Sequence, residues 1–93
     1  MSYARRTDRT HTPIIAALRA CGWYVLETFR MPNCCDCIAV RRGAVRFIEI
    51  KDGLLSPSRR PLTAGEAAFH AGMRDAGVRV HMLLSVEDAA RLR

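Results

Sequence analysis

Asp36, Glu49 and Lys51 are the residues whose types and spacing could do chemistry together. The stretch 34–52 reads Cys-Cys-Asp-Cys-Ile-Ala-Val, then Arg-Arg-Gly-Ala, then Val-Arg-Phe-Ile-Glu-Ile-Lys-Asp. Two apolar runs flank Arg42-Gly43, which predicts a β-hairpin with a two-residue turn. In that register Arg41 sits opposite Ala44, Val40 opposite Val45, Ile38 opposite Phe47, and Asp36 opposite Glu49. Strand side chains alternate faces, so both carboxylates share the face of Ile38, Val40, Val45 and Phe47, and Lys51 lies two residues further along it. Cross-strand neighbours are roughly 5 Å apart at Cβ, and like charges there destabilise a sheet. Two carboxylates held together this way need a cationic partner. A hard divalent ion with oxygen ligands meets the need, with Lys51 as a second positive charge.

The elements that must position these residues follow from periodicity. Thr12 is a good helix N-cap and Pro13 suits the first helical position. Ile14, Ile15, Leu18 and Cys21 recur at helical spacing up to Gly22. Trp23 to Phe29 alternates as a first strand, and Met31-Pro32-Asn33 breaks it. After Lys51, Asp52-Gly53 signals a turn into a loop from Leu54 to Pro61. Thr63-Ala64-Gly65-Glu66 is a capping box opening a second helix whose predicted apolar face is Phe69, Gly72, Met73 and Ala76. Val78 to Leu84 reads as the last strand, with Val78, Val80, Met82 and Leu84 on one face, and Ser85 caps a short terminal helix. The order αβββαβα predicts an α/β fold. Three strands form a meander, a crossover brings the fourth beside them, and helices flank the mixed sheet.

Composition sets the context. The 93 residues are read as one domain, 1–93, with a basic lead-in over 1–11. The formal net charge is +6 and Lys51 is the only lysine, so Arg supplies the other basic residues. Arg is the better bidentate phosphate ligand, and this balance favours nucleic acid as the partner. The candidate contacts are Arg5, Arg6 and Arg9 in the lead-in, Arg41 and Arg42 at the hairpin tip, and Arg59 and Arg60 in the loop after Lys51. The bland alternatives are a solvated tail and an exposed linker. No apolar run is long enough for a membrane span and no signal-peptide core follows Arg5-Arg6, so a cytoplasmic protein is expected. The cysteines are then reduced thiols or ligands. Cys34 and Cys37 form a lone C-x-x-C without the second pair a zinc site requires. On a strand, Cys35 and Cys37 point away from Asp36 and pack as small apolar groups.

Three further residues have two readings each. Glu27 either turns towards the carboxylates or is a surface residue of the first strand. Glu66 either joins the site or serves only as the capping residue. His70, one turn beyond Glu66, either faces the site or packs elsewhere.

Asp36 followed by Glu49-Ile50-Lys51 resembles the P-D…(D/E)-X-K pattern of restriction-endonuclease-like nucleases. The longer string Ile48-Glu49-Ile50-Lys51-Asp52-Gly53, with Ser58-Arg59-Arg60-Pro61-Leu62-Thr63, resembles the small stand-alone VRR-NUC nucleases found in phages. The similarity runs from about Asp8 to Glu87. It departs at two places: Cys35 stands where proline usually precedes the Asp, and Pro13 stands where relatives offer a helix Glu. The resemblance implies a restriction-endonuclease-like αβββαβ core and a DNA endonuclease dependent on Mg²⁺ or Mn²⁺, with branched or junction DNA as substrate. Asp36, Glu49 and the backbone carbonyl of Ile50 would hold the metal and Lys51 would orient the attacking water. No small-molecule cofactor is expected. The small size of the domain and the two-strandedness of DNA predict a homodimer, with Leu54 and Leu55 as candidate anchors. The alternative is a non-catalytic basic nucleic-acid-binding module.

Overall fold

The computed structural model describes residues 10–93. Helix α1 spans His11–Ala20, β1 Tyr24–Glu27, β2 Cys37–Arg41 and β3 Ala44–Ile50. A 3₁₀ turn covers Pro57–Arg59, followed by α2 at Ala64–Asp75, β4 at Val80–Leu83 and α3 at Val86–Arg91. The four strands form one mixed sheet in the order β1-β2-β3-β4. The first three are antiparallel neighbours, and β4 returns through α2 to pair parallel with β3. The chain is thus an α/β fold with helices on both faces of a mixed sheet.

The hairpin register is the predicted one through Ile38↔Phe47, Val40↔Val45 and Arg41↔Ala44. Arg42 (φ 51°) and Gly43 (φ 81°) both take positive φ. That is the geometry of a type I′ turn, whose twist matches the flanking strands. Beyond Cys37↔Ile48 the pairing changes. Asp36 lies just outside the ladder, its N–H still donating to the Ile48 carbonyl at 3.0 Å.

The core sits on one face of the sheet only. Ile14, Ile15 and Leu18 of α1 meet Trp23, Val25, Cys37, Ala39, Ile48, Ile50 and Leu83, and α3 adds Ala89, with Leu92 just beyond it. Leu18 has no exposed surface, so truncation to alanine would cost about 2–5 kcal/mol. Cys35 and Cys37 are buried, as the alternation requires, and burial pushes their thiols up to about 11 and about 12. The other face carries α2, in which no residue is fully buried. Phe69 reaches the sheet there, its ring centroid 6.4 Å from that of Phe47.

Several boundaries differ from the sequence reading. Helix α1 begins two residues before Pro13, at His11, after Thr10, which makes no side-chain capping bond. His11 is buried because its ring meets Phe29 edge-on at 4.9 Å, and Phe29 has left β1 to do so. In β4 the buried residue is Leu83, while Met82 is on the other face and 39% exposed. Along α2 the inward side is Glu66, Phe69, His70 and Met73, with Gly72 and Ala76 exposed. Gly53 is demanded by close approach: a Cβ there would lie 2.6 Å from the Leu84 carbonyl oxygen.

Arg42 holds a left-handed conformation that asparagine tolerates better. Replacing it (Arg42→Asn) is expected to stabilise the protein by about 0.5–1 kcal/mol, read as a higher denaturant midpoint at unchanged slope.

Candidate metal centre

Four elements converge beyond the end of the β2–β3 ladder. Asp36 is fixed from both sides by its backbone, its carbonyl accepting the Thr28 N–H at 2.9 Å. The Thr28 hydroxyl donates to the neighbouring Cys35 carbonyl at 2.8 Å, which pins the turn that leads into β2. The carboxylate of Asp36 accepts the Ile50 N–H at 2.7 Å. The side chain thereby supplies an acceptor where backbone pairing has ended, and it fixes the Ile50 peptide beside it. Glu49 stands one residue earlier on β3, between Asp36 and Met82 of β4, with no exposed surface.

Helix α2 closes the site from above. Thr63 and Glu66 form the capping box, with the Glu66 N–H donating to Thr63 Oγ1 at 3.1 Å and the Thr63 N–H donating to Glu66 Oε1 at 2.9 Å. The same Oε1 accepts from Lys51 Nζ at 2.8 Å. Capping and site membership are therefore combined in one carboxylate. One turn on, His70 Nε2 lies 3.1 Å from Glu49 Oε1. One ligand atom each from Asp36, Glu49 and Glu66 can be chosen so that all lie within 4.8 Å of one another.

The charges in this group are unevenly held. Burial pushes the Glu49 carboxyl up to about 10, and the neighbouring Asp36 and Glu66 carboxylates add to the shift. Burial would also raise Glu66, but hydrogen bonds from Lys51 and Thr63 outweigh it and leave the group below its ordinary value. Burial lowers His70. The His70–Glu49 contact at neutral pH is thus a hydrogen bond between neutral groups and not an ion pair. Glu49 Oε2 is buried without a hydrogen-bond partner. A buried orphan oxygen among three carboxyl groups is a donor set that could hold a hard divalent cation. The thiols take no part: among the described residues the only His, Cys, Asp or Glu group with ligand spacing is this all-oxygen one.

The remaining candidates are distributed unevenly. Glu27 does not join the group. Its side chain turns to the α1 side of the sheet, 3.4 Å from Arg19 and 3.9 Å from His11, because it shares the face of Val25. Arg41 is not available at the hairpin tip either. It donates to the Cys21 carbonyl at 2.8 Å and stacks over Trp23 at 4.1 Å, on the core side. Arg42 is exposed at the turn, seven residues from Glu49 and therefore roughly 23 Å along the strand. Arg59 is exposed on the 3₁₀ turn, while Arg60 is half-buried with its Nε unpartnered. Arg5, Arg6 and Arg9 lie outside the described residues. The role of Thr28 escaped sequence reasoning, because it depends on a loop closing back onto β2.

A scan against protein-family models found no match, and searches of curated proteins and of solved structures found none either. No helix among the described residues is long and apolar enough to cross a membrane.

A testable consequence follows from Glu49. In the unfolded chain its carboxyl ionises near the ordinary value of 4.5, whereas in the cation-free fold it stays protonated up to about 10. The folded state therefore binds the extra proton through this window, and stability falls as pH rises. The lowered His70 and His81 oppose this trend near their ordinary value of 6.5, and the raised Cys35 and Cys37 thiols add to it as pH nears their ordinary value of 9.0, which makes pH 7 to 8 the clean interval. Chemical denaturation in EDTA should show declining stability over that interval, and Glu49→Gln should flatten the decline. An equal slope in the variant would show that Glu49 is not the titrating group.

Proposed function

We propose that the protein is a divalent-metal-dependent DNA endonuclease with a restriction-endonuclease-like core, of the VRR-NUC type that its sequence resembles. The observation that carries this reading is the fully buried Glu49, one oxygen unpartnered, grouped with Asp36 and Glu66 within 4.8 Å and with Lys51 beside them. Asp36 and Glu49 would hold Mg²⁺ or Mn²⁺, with Glu66 as a third carboxylate and the Ile50 carbonyl as a backbone ligand. Such an ion supplies Lewis acidity towards a phosphate oxygen and acidifies water. Glu66 takes the place of the helix carboxylate that Pro13 cannot provide.

The chain's own groups do the rest. Lys51 carries the one ammonium in the group, at the spacing to offset charge that builds on a phosphate in the transition state. His70 holds Glu49 Oε1, which fixes the carboxyl's orientation and leaves its other oxygen for a ligand. Arg59 and Arg60 follow the site in the chain and would contact the phosphate backbone, which positions a substrate without reading sequence. A two-fold dimer would present two such sites to two strands, with the 84% exposed Leu54 as one anchor. A cytoplasmic setting suits these roles.

The deciding experiment incubates single-stranded, duplex, flap and four-way-junction DNA with the protein and Mg²⁺ or Mn²⁺, against an EDTA control. Cleavage with either metal and none in EDTA is expected. Asp36→Asn and Glu49→Gln should bring cleavage to the EDTA background, and Lys51→Ala should lower it about 10²–10³-fold. DNA binding without metal-dependent cutting would favour the non-catalytic binding module. A separate calorimetric titration should show His70→Ala weakening Mn²⁺ binding about 10–100-fold, with partial recovery in His70→Gln. Unchanged Mn²⁺ affinity in His70→Ala would remove the positioning role.

A further inference from the structure

The face of α2 that supplies the site continues past His70. Glu66, His70 and Arg74 are spaced four apart and lie one above another on the helix. Glu66 binds Lys51 and His70 meets Glu49. One turn further, about 5.4 Å along the axis, comes Arg74. It lines a cleft of about 420 Å³ with His70, Gly77, Val78, Arg79 and Val80, between the end of α2 and the start of β4.

Four arginines elsewhere are already engaged. Arg19 pairs with Glu27, Arg41 with the Cys21 carbonyl, Arg46 with the Arg93 carbonyl and Arg91 with Asp88. Arg74 and Arg79 are exposed, and among the described residues neither has a carboxylate partner. Their field is felt locally: after burial, Arg79 and Arg46 are what lower His81, and Arg74 is among the charges that lower His70. An open cleft with two uncompensated guanidinium groups matches an anion of repeating charge. Guanidinium forks suit phosphate oxygens, and one helical turn is of the same order as a step from one phosphate to the next along a strand.

We propose that this cleft receives the phosphodiester backbone of DNA on one side of the bond presented to Asp36, Glu49 and Glu66. The proposal rests on the nuclease reading above and names the surface that orients its substrate. It also moves the principal backbone contact from the hairpin tip to the junction of α2 and β4.

The test is fluorescence anisotropy with a labelled duplex oligonucleotide in EDTA, over a range of salt concentrations, so that binding is measured without cleavage. Each phosphate contact contributes about 0.9 to the slope of log affinity against log salt. Replacing both arginines (Arg74→Gln with Arg79→Gln) should lower the slope by about 1.8, and each single variant by about 0.9. Replacing both with lysine (Arg74→Lys with Arg79→Lys) should keep most of it. The single variants decide the matter if the double variant does not fold. An unchanged slope in the folded glutamine variants overturns the proposal, as does wild-type protein that binds no DNA at low salt. Cleavage with Mn²⁺ is scored separately. If the cleft variants flatten the slope but wild type cuts nothing, the cleft stands and the nuclease reading falls. If wild type cuts and the cleft variants bind and cut as it does, the cleft falls alone.

Discussion

A carboxyl group with no exposed surface must be neutral, hydrogen-bonded or matched by a cation, because burying an unmatched charge is very costly. Glu49 is that group here. Its surroundings answer the cost in part: His70 takes one oxygen, and protonation up to about pH 10 removes the charge when no cation is bound. Its other oxygen is left without a partner. The half-satisfied state explains why so many polar groups gather at this end of the sheet. Asp36 and Glu66 raise the energy of an ionised Glu49, and Lys51 is committed to Glu66. The arrangement is poised for one more positive charge.

The same constraint governs how α2 is attached. Helices α1 and α3 are held by an apolar core on one face of the sheet. Helix α2, on the other face, buries no residue completely. Its contacts to this face include the Phe69–Phe47 pair and the two polar contacts Lys51–Glu66 and His70–Glu49. Site chemistry and helix docking are therefore coupled. A change in the charge of Glu49 alters a contact that helps hold the helix, whereas the α1–α3 core does not feel it directly. Stability is concentrated on one face, and the side that carries the carboxyl group is left adjustable.

Much of this was legible in the chain. The alternation around Arg42-Gly43 gave the hairpin and its register, since a one-residue slip would have turned Cys37 and Ile48 out of the core. The capping box located α2 and, with it, Glu66 and His70. What the sequence did not show depends on distant parts of the chain meeting. Glu27 and Arg41 looked available, but α1 and Trp23 claim them. Phe29 belongs to the strand by alternation, yet its ring is worth more against His11. The spacing Glu66–His70–Arg74 was present as a four-residue repeat, but it gains meaning only once α2 is known to lie over Glu49.

The alternation leading into β2 has a chemical consequence. Cys35, Asp36 and Cys37 are consecutive, and the chain entering β2 sends the two sulfurs inward and the carboxylate to the site. Hard oxygen donors and soft sulfur donors thus stand within one residue of each other and are kept apart by the course of the chain into β2, which Thr28 pins. The buried thiols are held far from ionisation. Backbone alternation, usually read as a device for building a core, here also separates thiols from carboxyl groups.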